Sequence, residues 1–295
     1  MISRRALSFA LISFLPLSSQ ALPNTHLLWP ATSDNVRPGP VALYNRHGSV
    51  IGVNAPFLTL YTPEHFNGKT VLIAAGGGYR RIEQNKEAIP TAHLLAQHGF
   101  RVYVLTYRLP NEHWPEGKNV AIDDVHQALK IIMPTNPHLS VLGYSAGAHL
   151  LALAINRTLI ASPITENKPR LEGMALIYPI VTVEAPYNHS ATHRVLVGPL
   201  ANLQEEKKWS VQHYINDCSP PLFVIESDDD PIAPPINGQL LLTAAKQHHV
   251  PITLIRYKTG GHGFGLGRVG TAESAWPKHY LSWLNQLSAH RAKGS

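Results

Sequence analysis

The chain is nearly without cysteine. Cys218 is the single one in 295 residues, which excludes an internal disulfide framework, and nothing beside it has the pattern of a catalytic thiol. Charge is sparse too. Charged residues make up 15% of the chain, and the formal net charge is +6, spread along the sequence. No Lys/Arg cluster interleaved with aromatics appears, so nothing points to nucleic acid as a partner. His-Glu-x-x-His is absent, and the adjacent His248 and His249 would not converge on one ion, so no zinc site is indicated. Gly76-Gly77-Gly78 lacks the Gly-Lys-Ser/Thr ending of a phosphate loop and begins no G-x-G-x-x-G. No cofactor is expected. Internal repeats and low-complexity tracts are absent as well.

What is present reads as one large globular domain. The chain is 44% hydrophobic, enough for a sizeable core, and its 24 Pro and 21 Gly predict many loops. Residues 1–21 read as a removable leader rather than as part of that domain. Arg4-Arg5 form a basic head, and Ala6 to Leu17 form an apolar run too short to span a bilayer. Ser19-Gln20-Ala21 offers small residues where a signal peptidase cuts. Cleavage after Ala21 is expected. The mature chain, residues 22–295, is then periplasmic or secreted, with no stable membrane span. Ser3-Arg4-Arg5 partly matches a twin-arginine export signal, so the export route stays open.

Residues 22–50, rich in Pro, Asn and Gly, are expected to wrap the surface. Strand-like and helix-like segments then alternate. Phe57 to Tyr61, Val71 to Ala75 and Arg101 to Tyr107 are β-prone, as are Leu139 to Gly143, Met174 to Tyr178, Leu222 to Glu226 and Ile252 to Tyr257. Ile89, Ala92, Leu95 and Ala96 share one helical face that Gly99 ends. Val125, Ala128, Leu129 and Ile132 mark another helix, with Asp123-Asp124 placed to favour its N-terminus. Ala146 to Ile155 is almost wholly apolar, which predicts a helix buried on most sides. Further helices are expected near Ile236 to His248 and along Trp276, Tyr280, Leu284 and Leu287. This alternation predicts the α/β class, a mainly parallel central sheet with helices on both faces. Thr182 to Asp217 breaks the rhythm and reads as an insertion bordering the site.

The candidate chemistry starts at Gly143-Tyr144-Ser145-Ala146-Gly147, a G-x-S-x-G pattern. An apolar strand enters it and a small-residue helix leaves it, as a nucleophile elbow requires. A serine hydroxyl is a weak nucleophile at neutral pH and needs a base, which in turn needs an orienting acid. Both follow in that chain order at strand ends. Asp228, Asp229 and Asp230 follow one strand, and Gly260-Gly261-His262-Gly263 follows the next. His262 is the candidate base. Asp230 is the chosen acid, with Asp228 and Asp229 left as alternatives. The glycine loop Gly76-Gly77-Gly78-Tyr79 lets backbone N–H groups approach an oxyanion, so Gly77, Gly78 and Ala146 are the candidate donors.

Several pieces together resemble bacterial esterases of the α/β-hydrolase superfamily, the acetyl esterase and acetylxylan esterase group. That group is related to the hormone-sensitive-lipase-like and kynurenine-formamidase-like esterases. The pieces are Gly76-Gly77-Gly78-Tyr79, Tyr107-Arg108-Leu109-Pro110, Gly143 to Leu150, Asp230-Pro231-Ile232-Ala233-Pro234 and Gly260 to Gly265, within a match from roughly Leu28 to Leu287. The resemblance implies a metal-free esterase that removes acetyl or other short acyl groups from a small-molecule or carbohydrate ester, and it favours Asp230 over its neighbours. Two positions depart from the relatives. Ala75 stands where hormone-sensitive-lipase-like enzymes carry the histidine of His-Gly-Gly-Gly. Ala148 stands where many relatives have a glycine. The alternatives are an amidase or peptidase, a lipase using the same three residues, or a binding protein on the same scaffold.

Overall fold

The computed structural model describes residues 24–161, 171–199 and 201–291. The expected leader, residues 1–21, lies outside them. Among the described residues ten strands and seven α-helices follow one another. β1 is Thr25–Leu27, β2 Ala42–Tyr44, β3 Val50–Val53, β4 Phe57–Tyr61 and β5 Thr70–Ala74. A π-helical turn, Gln84–Ala88, runs directly into α1, Ile89–Gln97. Then come β6 (Arg101–Thr106), α2 (Val120–Ile132), β7 (Leu139–Tyr144), α3 (Ser145–Ala161) and β8 (Met174–Ile177). α4 (Ala191–Leu196), α5 (Leu203–Lys208), β9 (Leu222–Ser227), α6 (Ile236–Gln247), β10 (Ile252–Tyr257) and α7 (Trp276–Arg291) complete the order.

Eight strands form one sheet in the order β1-β4-β6-β5-β7-β8-β9-β10. From β6 to β10 every neighbouring pair is parallel; β1 and β4 add an antiparallel edge. Every residue of β5, β7, β8 and β9 is buried, as expected for strands covered on both faces. β10, at the open edge, is only half-buried. The parallel strands all point their C-terminal ends the same way. That edge of the sheet is where loops of this architecture gather reactive groups.

α3 explains the close packing at the centre. Its first twelve residues, Ser145 to Asn156, are all buried. A methyl at Gly147 would lie 2.3 Å from the carbonyl oxygen of Ala74, and one at Gly143 would lie 2.4 Å from Ala148 Cα. Only hydrogen at those positions lets β7 turn sharply into α3 against β5.

Two expectations change. The described part of the 22–50 segment, from Asn24 on, does more than wrap the surface. β1 pairs with the β4 edge, and β2 and β3 form an antiparallel hairpin. These strands are only three or four residues long, too short to leave a periodic signal. Asp124 does not serve the N-terminus of α2 either. It is fully buried and faces Arg108, also fully buried, accepting its N–H at 2.8 Å and its Nη2 at 2.8 Å. Trp29 Nε1 donates to the same carboxylate at 3.0 Å, tying the N-terminal segment to the core. Asp123 alone remains an acid in the first turn. Among the described residues no helix is long and apolar enough to cross a membrane.

Candidate active site

β7 delivers Ser145 to the C-terminal edge of the sheet, at the first position of α3. Its backbone has φ +48°, a left-handed conformation that costs a non-glycine residue energy and holds the side chain out of the turn. Ser145 Oγ lies 2.8 Å from His262 Nε2. His262 sits on the loop after β10, and its Nδ1 lies 2.7 Å from Asp230 Oδ2. A carboxylate accepts, so Nδ1 carries the proton and Nε2 turns its lone pair to the serine.

The three consecutive aspartates take three different places. Asp230 is buried, and its Oδ1 accepts the N–H groups of Ile232 and Ala233, both at 2.8 Å. Asp229 Oδ1 accepts the N–H of Gly261, which steadies the loop that carries His262. Asp228 is exposed and lies 3.6 Å from Arg256 Nε. Only Asp230 meets the imidazole.

The glycine loop follows β5. Gly76 is pressed on the serine: a methyl there would lie 2.9 Å from Ser145 Cβ. Its N–H is already committed, donating to Glu87 Oε2 at 2.6 Å. Gly77 (φ +122°) and Gly78 (φ +66°) turn the chain back through conformations that favour glycine. Among the described residues their N–H groups donate to no protein acceptor. Ala146 lies in the first turn of α3, where the helix supplies no acceptor for its amide. The segment between β8 and β9 closes over this loop, and Ala191 of α4 meets Gly78.

Two buried side chains at the site were given no role from the sequence. Glu87 lies in the π-helical turn and is fully enclosed. Burial pushes its carboxyl up from 4.5 to about 7, against the pull of the Gly76 N–H and of Tyr178 Oη, which donates at 3.0 Å. His149, one turn into α3, accepts from Tyr79 Oη on Nδ1 at 2.8 Å and donates from Nε2 to the Trp209 carbonyl at 2.7 Å. Burial pushes it down to about 4, so the ring is neutral. It pins Tyr79, at the end of the glycine loop, to α3 and to the segment above. His149 is visible in the sequence beside the elbow, but its partners stand 70 and 60 residues away. Among the described residues no three His, Cys, Asp or Glu side chains gather as a metal set.

The sheet order, the serine at the strand-to-helix turn and the histidine on the last loop are those of the α/β-hydrolase fold. The chain belongs to the BD-FAE family, whose model matches residues 58–244, more than half of its length. It is 24% identical over 242 residues to an acetylxylan esterase of Xylanibacter ruminicola, covering 78% of this chain and 46% of that protein. The chain thus spans less than half the length of that relative. In structure it is similar to an acetyl ester-xyloside bifunctional hydrolase from Caldicellulosiruptor lactoaceticus. The TM-score is 0.74 at 22% identity, over 92% of this chain and 99% of the other. It is also similar to the carboxylesterase Cest-2923 from Lactobacillus plantarum, with TM-score 0.62 and 19% identity over 80% and 94% of the two chains.

Proposed function

We propose that the protein is a serine carboxylic-ester hydrolase that removes acetyl or other short acyl groups, with carbohydrate esters as its substrate class. The unbroken contact chain from Ser145 Oγ through His262 to Asp230 is the observation that carries this reading. In the first step Ser145 Oγ attacks the ester carbonyl carbon while His262 Nε2 takes its proton. The carbonyl π bond opens to an oxyanion, held by the N–H groups of Gly77, Gly78 and Ala146. The C–O bond to the alcohol then breaks, and His262 returns the proton to the leaving oxygen. Water repeats the sequence on the acyl-serine: His262 removes a proton from it, and the carboxylic acid and free serine result. Asp230 keeps the imidazole in the tautomer that accepts at Nε2 and stabilises the imidazolium formed in each half.

The carbohydrate part rests on the names of the relatives, an acetylxylan esterase and an acetyl ester-xyloside hydrolase. The expected export of the chain agrees with a polymeric substrate outside the cell. Turnover of p-nitrophenyl acetate is expected to fall at least about 10⁴-fold in Ser145→Ala. Undiminished turnover would sink the reading. Acetylated xylan, acetylated oligosaccharides and a chain-length series of simple esters test the substrate class. A preference for long acyl chains would move it to a lipase, and cleavage of anilides to an amidase.

A further inference from the structure

We propose that Glu87 is a positioning residue for the ester hydrolysis described above, its carboxylate holding the glycine loop and the His262 loop in one fixed relation. The inference rests on that reading of the site. One carboxyl group touches both halves of it. Glu87 Oε2 accepts the N–H of Gly76, the peptide immediately before the two free amides of the glycine loop, at 2.6 Å. Glu87 Oε1 accepts from Tyr178 Oη at 3.0 Å, and that hydroxyl in turn accepts the N–H of Gly265 at 3.1 Å. Gly265 lies three residues beyond His262. The Tyr178 ring also stands edge-on to His262, with centroids 5.0 Å apart, and to Phe264 at 4.6 Å. Tyr178 has φ +38°, a conformation a tyrosine rarely adopts. Its place over the imidazole is therefore held by its surroundings rather than by local preference.

The charge state follows from the direction of these bonds. Both carboxyl oxygens receive donors. In the ionised form each is satisfied; after protonation one oxygen becomes a donor facing donors. Burial acts the other way, and among the described residues no Lys or Arg pairs with Glu87. The titratable groups around it are Tyr107 just after β6, Tyr144 from β7, Tyr178 after β8, His262 after β10 and Glu83, which precedes its own turn. The two forms are thus close to balance at neutral pH. Acidification turns one of the two oxygens from acceptor into donor, so the contact to either the Gly76 N–H or Tyr178 Oη is lost and the two loops no longer share one anchor.

Wild type and Glu87→Gln are compared on p-nitrophenyl acetate across the acid-to-neutral range, alongside the rate at which a fluorophosphonate labels Ser145. The amide offers one acceptor and one donor, so it mimics the protonated acid. At neutral pH, kcat and the labelling rate are expected to fall about 10- to 10²-fold in Glu87→Gln, with KM little changed. The deficit should shrink as pH falls. Correspondingly, the acid limb of the wild-type profile should reflect two protons, and that of the variant one. Tyr178→Phe should lower kcat while keeping a two-proton limb. A one-proton limb in wild type, or a Glu87→Gln deficit that does not vary with pH, would overturn the inference. The wild-type limb decides the matter even if the variant does not fold. Full activity in Ser145→Ala would instead overturn the proposed serine mechanism, an outcome distinct from either result that overturns the role of Glu87.

Discussion

Asp230 divides its carboxylate between two tasks: Oδ2 meets His262 Nδ1 at 2.7 Å, while Oδ1 takes the N–H groups of Ile232 and Ala233. The second contact fixes the first. With Oδ1 anchored to the chain leading into α6, the carboxylate cannot rotate away from the imidazole. Neither neighbour can replace it, because Asp229 is spent on the Gly261 N–H and Asp228 is turned to Arg256.

Asp230→Asn is therefore expected to lower kcat on p-nitrophenyl acetate by roughly 10³- to 10⁴-fold with KM little changed. An amide at this place stabilises the wrong imidazole tautomer. Asp228→Asn should stay near wild type. Asp229→Asn should lose less than Asp230→Asn, since it loosens the His262 loop without touching the ring. A wild-type kcat in Asp230→Asn would remove Asp230 from the proposed mechanism.

Glu87 and His149 make opposed contributions to stability as pH changes. Glu87 has its folded value raised from 4.5 to about 7. Between those values the folded state holds a proton that the unfolded state has lost. Its contribution is complete below pH 4.5 and is lost as pH rises to about 7, a range worth roughly 3 kcal/mol. His149 has its folded value lowered from 6.5 to about 4. Its contribution is complete above pH 6.5 and is lost as pH falls to about 4, by a similar amount. In wild type the two slopes offset each other where the windows overlap. Glu87→Gln should unmask the histidine: its Tm should fall on acidification below pH 6.5 more steeply than that of wild type. Thermal denaturation across this range reads the effect. Parallel Tm–pH curves for the two proteins would mean that Glu87 does not titrate in that window.

The difference between what the sequence showed and what it hid is one of distance along the chain. Ser145 could be singled out as a candidate because its strand, turn and helix are contiguous, and small residues flank it. His262 and Asp230 could be singled out because each follows an apolar strand in the order the proposed chemistry needs, and the structure brings the three into contact. The long parallel strands were legible for the same local reason. Glu87 was not, since nothing in Glu83-Gln84-Asn85-Lys86-Glu87 distinguishes a buried carboxyl from a solvated one. Its meaning comes from Gly76, Tyr178 and Gly265, which lie on three other segments. Asp124 misled for a related cause. At the sequence level an acid early in a helix suits the helix dipole, and only the packed core reveals the arginine it faces. β1 and the β2–β3 hairpin escaped because strands of three or four residues depend on a partner edge, not on their own pattern.

The contact between Gly78 and Ala191 allows the glycine loop to be tested without altering Ser145, His262 or Asp230. A methyl at Gly78 would lie 2.6 Å from Ala191 Cβ, too close to tolerate without a shift of the loop or of α4. The loop is the lighter element, so it should give way and carry its N–H groups off the proposed oxyanion position. Losing one such donor lowers kcat by about 10²- to 10³-fold, and Gly78→Ala should fall in or near that range. Ala191→Gly alone should change kcat little. Combined with Gly78→Ala, it removes the clash but leaves the strain of alanine at φ +66°. The double variant should therefore recover part of the loss, and its kcat should exceed the product of the two single effects. Steady-state kinetics on the four proteins measure this coupling. Strict additivity would show that α4 does not press on the loop, and that the fall in Gly78→Ala comes from backbone strain alone.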